Sequence, residues 1–265
     1  MNLLDDIRRK TVKEKLYNIP INDAVNAGQE CPFCYIEREI EQDLMDFVLG
    51  SGSSYMESDV REKTDKAGFC RAHFKKMFDY GNTLGNAWIM KTHMKYTLDQ
   101  ADKAFDKYRP SANGLGSILK KNDAKAANSF TEWVRGQEKS CFICAGFTDH
   151  YDRYMKTFFE MYEKDSEFSE KLKNSKGFCM PHFADILDYA GGHLPEKKQQ
   201  EFADTFIPLM RARLEELYGD VSWLIEKFDY RNKDADWKNS KDALQNCMQK
   251  LKGGYPADAV YKMKK

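Results

Sequence analysis

Cys31-Pro32-Phe33-Cys34 is followed, 36 positions after its second cysteine, by Gly68-Phe69-Cys70-Arg71-Ala72-His73-Phe74. The chain then writes the same pattern again. Cys141-Phe142-Ile143-Cys144 leads, 35 positions on, to Gly177-Phe178-Cys179-Met180-Pro181-His182-Phe183. The sequel matches too, with Asp79-Tyr80 answered by Asp188-Tyr189. The offset between copies is 110 at the first pair and 109 afterwards, so one residue was gained or lost between them. Self-similarity on this scale marks an internal duplication, over roughly residues 20–108 and 128–218.

Each copy carries the donors of one tetrahedral ion: Cys31, Cys34, Cys70 and His73 in the first, Cys141, Cys144, Cys179 and His182 in the second. Three thiolates and an imidazole are the donors that Zn²⁺ takes in structural sites. The Cys-x-x-Cys spacing lets one tight turn aim both sulfurs at one ion. Residues three apart at a helix start share a face, and the helix N-terminus favours the thiolate. The reading is two Zn²⁺ per chain, each held within its own copy, with an iron–sulfur cluster as the alternative cofactor for the same donors. A tetrahedral Cys₃His zinc site has a formal charge near −1, which Arg71, Lys75 and Lys176 stand close enough in sequence to offset. Disulfides are the main rival, but the chain is no small cysteine-dense scaffold and shows no secretion signal.

Two other readings of Cys-x-x-Cys fail. A thiol-oxidoreductase site should follow a buried strand, and residues 22–30 (Asn-Asp-Ala-Val-Asn-Ala-Gly-Gln-Glu) are not one. Haem attachment needs His directly after the second cysteine, where Tyr35 and Ala145 stand. Cys247 reads as a packed side chain on a C-terminal helix. His93, His150 and His193 have no counterparts across the copies.

Outside the motifs the chain is helical in pattern. Ile36, Ile40, Leu44, Phe47 and Val48 recur at helical spacing, as do Met94, Leu98, Ala101, Phe105 and Tyr108. The second copy has Tyr151, Tyr154, Met155, Phe158, Phe159 and Tyr162, then Phe202, Phe206, Met210, Leu214 and Leu217, with Pro208 expected to kink or divide that last helix. These stripes are read as core. Breaks are expected at Gly50–Ser54, at Arg109–Gly114 and at Gly191–Pro195. The fold class that follows is all-α: a tandem duplication of a zinc-pinned helical unit plus a C-terminal helical segment. The domains are residues 1–110, residues 120–220, a segment 221–252 packing across both, and a flexible tail 253–265.

Composition sets limits. The 265 residues suggest one or two domains, and 17 Phe with 14 Tyr supply much of a core. Forty-two basic and 42 acidic residues cancel, which argues against a nucleic-acid partner. No apolar run approaches the roughly 18 residues of a membrane span, so no membrane partner is expected either.

The segment Asp229-Tyr230-Arg231-Asn232-Lys233-Asp234-Ala235-Asp236-Trp237 is dense in polar groups around two aromatics. It reads as a hydrogen-bonded loop locking the last helix, which Asn239 or Ser240 caps. Alternatively, Asp229, Tyr230, Arg231, Asp236 and Trp237 form a ligand-binding surface. Together with the doubled Cys motifs, Phe228–Trp237 resembles an uncharacterised family of bacterial proteins, mostly from Firmicutes. The likeness covers nearly the whole chain. It implies a cytoplasmic bacterial protein and no established activity.

Four protein donors leave no open position on the ion, whereas catalytic zinc keeps one. The leading functional expectation is therefore a non-catalytic helical scaffold that binds a protein or small-molecule partner. The alternatives are a thiol-based redox or metal sensor, and an enzyme with its site in a cleft between the repeats. No serine triad, phosphate-cradling glycine loop or His-Glu-x-x-His pattern supports the last.

Overall fold

The computed structural model describes residues 16–52, 54–108 and 129–264; the break expected at Arg109–Gly114 and the charged N-terminal stretch lie outside them. Every regular element among the described residues is a helix. In chain order these are α1 (16–26), α2 (Pro32–Leu49), α3 (Ser58–Ala67), α4 (Arg71–Tyr80), α5 (Thr83–Asp106), α6 (Ser129–Glu138), α7 (Phe142–Lys164), α8 (Ser166–Lys173), α9 (Met180–His193), α10 (Glu196–Glu226) and α11 (Ala243–Lys252). The order from α2 to α5 recurs from α7 to α10: a long helix at the Cys-x-x-Cys turn, a short one, then two that follow the Gly-Phe-Cys turn.

The chain divides into two compact units that do not follow the linear order of the repeats. One is Met1–Ile40 with Asp149–Ala259; the other is Glu41–Thr148 with Val260–Lys265. Helices α2 and α7 therefore each begin in one unit and end in the other.

Aromatic burial builds the first unit. Phe33, Phe158, Phe159, Phe168, Phe178, Phe202 and Phe206 are each under 2% exposed, and burying such a side chain is worth about 1.5–3 kcal/mol. Their rings meet edge-on or tilted, Phe33 on Phe158 at 5.2 Å and Phe202 on Phe206 at 4.4 Å between centroids. The stripes of α7 and α10 supply most of these, as their spacing requires. Pro208 does not divide α10, which runs unbroken for 31 residues. Helix α9 likewise continues through Gly191 and Gly192 and ends at His193, whereas α4 stops at Tyr80 with Gly81 left-handed at φ 87°.

In the second unit Met45, Val48, Leu49, Val60, Phe69, Met77 and Ile89 are buried. The stripe expected to bury α5 instead faces out: Met94, Leu98, Phe105 and Tyr108 are all exposed, with Phe105 stacked on Phe130 at 4.8 Å. The reason lies in α3. The inner face of α5 carries Ile89, Thr92 and His93, and Thr92 Oγ1 donates to Asp65 Oδ1 at 2.7 Å while His93 Nδ1 meets the Asp65 carbonyl at 2.9 Å. Hydrogen bonds to α3 set the rotation of α5 against its apolar stripe.

Helix α11 turns the same way. It begins at Ala243 after a 3₁₀ turn, Ser240–Asp242, without a side-chain cap from Asn239. Its inward face is Ala243, Cys247 and Lys250, while Leu244, Met248 and Leu251 point outward. Two carbonyls of the C-terminal stretch accept hydrogen bonds from α2. Arg38 donates to the Ala259 carbonyl at 2.6 Å, and in the other unit Gln42 donates to the Lys262 carbonyl at 2.7 Å.

Candidate metal centres

Four helices start at the cysteines. Cys31 and Cys141 immediately precede α2 and α7, and Cys70 and Cys179 are the N-caps of α4 and α9. The second donor of each motif, Cys34, His73, Cys144 and His182, sits three residues on, in the first helical turn. Unpaired N–H groups there find the sulfurs: the amides of Cys144 and His182 each approach the sulfur three residues back, Cys141 and Cys179, at 3.5 Å. The preceding turn needs glycine. Gly68 and Gly177 have φ of 60° and 74°, and a methyl on either would come within 3.0 Å of His93 or of Leu209 and Met210.

The eight donors form two groups, paired across the copies rather than within them. Cys31, Cys34, Cys179 and His182 make one; Cys70, His73, Cys141 and Cys144 make the other, and in each the donor atoms lie within 4.8 Å of one another. This corrects the expectation that each copy closes on itself. Contacts beside the sulfurs fix the exchange. The Phe142 amide donates to the Gly68 carbonyl at 2.9 Å, joining the second Cys-x-x-Cys turn to the first Gly-Phe-Cys turn. Phe69 packs on Phe142 at 6.3 Å, and in the other unit Phe33 packs on Phe178 at 6.2 Å.

The distances suit one ion per group. Around His182 Nδ1 the sulfurs of Cys179, Cys31 and Cys34 lie at 3.1, 3.3 and 3.6 Å, and Cys34 and Cys179 are 3.8 Å apart. Around His73 Nδ1 the sulfurs of Cys70, Cys141 and Cys144 lie at 3.2, 3.3 and 3.4 Å, and Cys70 and Cys144 are 3.9 Å apart. A tetrahedron with Zn–S near 2.3 Å and Zn–N near 2.0–2.1 Å has S···S edges of about 3.8 Å and S···N edges of about 3.6 Å.

Each imidazole turns its other nitrogen to a carboxylate. His182 Nε2 lies 3.0 Å from Glu37 and His73 Nε2 lies 3.1 Å from Glu41. Such a partner fixes the ring's tautomer and strengthens Nδ1 as a donor. Glu41 also takes Lys76 at 2.5 Å and the Tyr261 hydroxyl at 2.5 Å. Burial opposes ionisation of Glu41, but His73, Lys76 and Tyr261 outweigh it and hold its carboxyl down at about 2. The sequence reading missed both glutamates. They stand one turn apart on α2 just past Cys34, but the second copy has Phe147 and Tyr151 there, so comparing copies conceals them.

The donor groups are electrostatically strained as bare protein. Burial holds the Cys31 thiol well above its ordinary range, while hydrogen bonds from Cys179 and Cys31 drive Cys34 far below, against burial. Burial and then Cys141 push Cys144 up to about 12. Cys141 falls to about 6 because His73 and the amides of Cys144 and Cys70 overcome its burial. In each group, one sulfur ionises at the expense of another; a cation is what lets all three do so together.

Charge around the first group comes from a residue the sequence reading did not flag. Lys250, fully buried on α11, donates to the carbonyls of Glu30 at 2.9 Å, Lys176 at 2.8 Å and Phe178 at 3.2 Å. It thus holds the residue before Cys31 and the residue before Cys179 at once. Its ammonium also lies 3.3 Å from the buried Glu30 carboxylate, which Arg213 and Lys176 share. Burial raises Glu30, but Arg213, Lys250 and Lys176 keep its carboxyl below the usual range. Of the cations expected to offset the sites, Lys176 pairs with Glu30 and Lys75 with Asp79. Arg71 lines the cavity beside Cys70. At the C-cap of α11, a methyl on Gly253 would touch Cys179 Sγ at 3.6 Å and Cys34 Sγ at 3.8 Å.

The second candidate surface binds itself. The Asp229 carboxylate grips the Arg231 guanidinium, Nε at 3.0 Å, and caps its amide at 2.9 Å. Lys227 Nζ donates to the carbonyls of Asn232, Lys233 and Ala235 and lies 4.9 Å from the Trp237 ring centroid. The Asp236 carbonyl accepts from Trp223 at 2.9 Å, and Tyr230 is exposed. Cys247 is half-buried, its sulfur 3.7 Å from the Leu217 carbonyl. His193 stacks on Phe159 at 5.6 Å.

Fold and sites define a class: an all-helical protein with two Cys₃His groups that could each hold a metal ion. The chain belongs to the family of unknown function DUF6062, whose model matches residues 12–258. Neither a curated protein nor a solved structure matches it.

Proposed function

We propose that the protein is a non-catalytic, zinc-stabilised helical scaffold with two structural Cys₃His sites, and that the two sites arose by duplication of one helical unit. The observation that carries this is the donor geometry: three sulfurs 3.1–3.6 Å from one Nδ1 in each group, with a carboxylate behind the ring. Four protein donors fill a tetrahedral ion and leave no place for substrate or water. Donor atoms all within 4.8 Å favour a single ion. A two-iron cluster would place its ligand pairs on separate metals and farther apart. Binding energies for such zinc sites, about 10–16 kcal/mol, match or exceed whole-domain stabilities of about 5–15 kcal/mol. The ions therefore support the fold itself. Zinc thiolates of this kind suit the reducing cytoplasm. A scaffold so built acts by holding a helical surface to a protein or small-molecule partner.

Elemental analysis of the purified chain tests the metal reading, with two zinc per chain and no visible absorption as the expected result. Iron with bands near roughly 400–450 nm would replace zinc by a cluster. Fewer than one equivalent of any metal would end the proposal.

A further inference from the structure

The two donor groups differ in how much of them solvent reaches. Cys31, Cys34, Cys179 and His182 are all buried. In the other group His73 and Cys141 are buried, Cys70 is half-buried and Cys144 is exposed. A cavity of about 790 Å³ opens beside this second group, lined by Gly68, Phe69, Cys70, Arg71, His93 and Trp133 among others. Two sulfurs therefore stand at the edge of one site, 3.9 Å apart and 74 positions apart in the chain. At the first site, by contrast, Cys31 and Cys179 have no exposed surface.

We infer that the Cys70–Cys144 edge is a peroxide-sensitive latch: a small peroxide oxidises these two thiolates to a disulfide and releases the second zinc, while the first site stays loaded. The inference rests on the zinc reading of both groups. A zinc-bound cysteine is already a thiolate, so access decides which sulfur reacts. Cys144, the exposed one, attacks a peroxide oxygen. The O–O bond breaks, hydroxide leaves and is protonated to water by the acid form of the buffer, and Cys144 becomes a sulfenic acid. The Cys70 thiolate then attacks the Cys144 sulfur. The S–S bond forms, the S–O bond breaks, and a second hydroxide leaves and takes a second proton from the buffer. Two electrons have passed from the sulfurs to hydrogen peroxide, which ends as two waters.

The consequence for the metal follows from counting donors. Zinc in the second site keeps only Cys141 and His73, two of four, and dissociates. The bond formed joins the same two segments that the ion had joined, the start of α4 and the first turn of α7, so the unit is cross-linked before and after. His73 keeps its contact with Glu41 through Nε2.

The test uses the full-length, zinc-loaded chain, with the metal content of the untreated sample measured first. Hydrogen peroxide is added in small molar excess, zinc release is followed with a chromogenic chelator, and thiols are mapped by differential alkylation and peptide mass. One of two zinc equivalents should leave about tenfold or more faster than the other, with Cys70 and Cys144 joined and Cys31, Cys34 and Cys179 still reduced. Cys144→Ser should abolish the fast phase. Should that variant fail to hold its second zinc, the wild-type mapping decides alone. Release of both equivalents at one rate, first oxidation at Cys34 or Cys179, or a Cys141–Cys144 disulfide in place of Cys70–Cys144 would overturn the latch. An untreated sample without zinc would instead overturn the metal reading, and the latch with it.

Discussion

Cys31 Sγ lies 3.3 Å from Nδ1 of His182, 151 positions further along the chain. The crossed pairing this represents changes what an ion would do for the fold. Closure within a copy would span 36 positions, from Cys34 to Cys70. The observed closure from Cys34 to Cys179 spans 145. A fourfold longer loop removes about 1.2 kcal/mol more denatured-state entropy. An ion in either group would thus pin segments from both copies.

Zinc counts in paired mutants will report this exchange. Cys31→Ser with His182→Ala strikes one group and should leave one zinc per chain. Cys31→Ser with Cys70→Ser strikes both groups and should leave none. Pairing within copies predicts the reverse, so metal analysis of the two double mutants separates the arrangements.

The carboxylates behind the histidines should act one site at a time. Glu37→Gln weakens the grip of His182 and Glu41→Gln that of His73, each by about 10- to 100-fold in zinc affinity at its own site. Chelator competition resolving two affinities in each variant checks it. Equal weakening of both sites by either change would contradict the assignment.

The sequence made the donors legible and their partnership illegible. A spacing of three places two donors at one helix start, and that logic held at all four starts. The gaps of 36 and 35 residues only allow closure, and closure within or across copies satisfies them equally. Packing between Phe33 and Phe178, and the amide of Phe142 on Gly68, made the choice. Helix rotation was hidden for a similar reason. The apolar stripe of α5 suggested a buried face, but Thr92 and His93 found partners on Asp65 and turned it outward. Lys250 could not be seen as a core residue because its reason for burial is three carbonyls distant in sequence.

Lys250→Met should be costly although methionine fits the length. It leaves three carbonyls short of a donor and Glu30 short of a cation, a loss of about 2–4 kcal/mol. Urea unfolding of the zinc-loaded variant measures it. Loss should be accompanied by weaker zinc at the Cys31 group and unchanged zinc at the Cys70 group. A change within about 0.5 kcal/mol would show that Arg213 and Lys176 suffice for Glu30.

At the two ligand turns, Gly68→Ala and Gly177→Ala should each lose about 1–3 kcal/mol, because both backbones are left-handed and both sites are crowded. Gly68→Ala combined with His93→Ala should recover part of the loss by opening space for the methyl. No recovery would place the whole cost in the backbone. Thermal unfolding of the single and double variants reads the difference.

Proton competition gives a prediction with a definite sign. In the metal-free Cys70 group, burial opposes charge on His73, but Cys141 and Glu41 outweigh it and raise the imidazole to about 10, while Cys144 stands near 12. Cys141, near 6, has already lost its proton above that pH. Between about pH 6 and 10 the empty group therefore holds at least two protons that zinc must expel, one from His73 and one from Cys144. The metal-free form binds more protons, so acid favours it, and affinity climbs by at least about two log units for each pH unit. Zinc competition with a chelator of known proton affinity, run across roughly pH 6.5–8.5, should show that slope at the Cys70 group. A flat profile would mean that these side chains do not change protonation when zinc binds, and would remove His73 and Cys144 from the donor set.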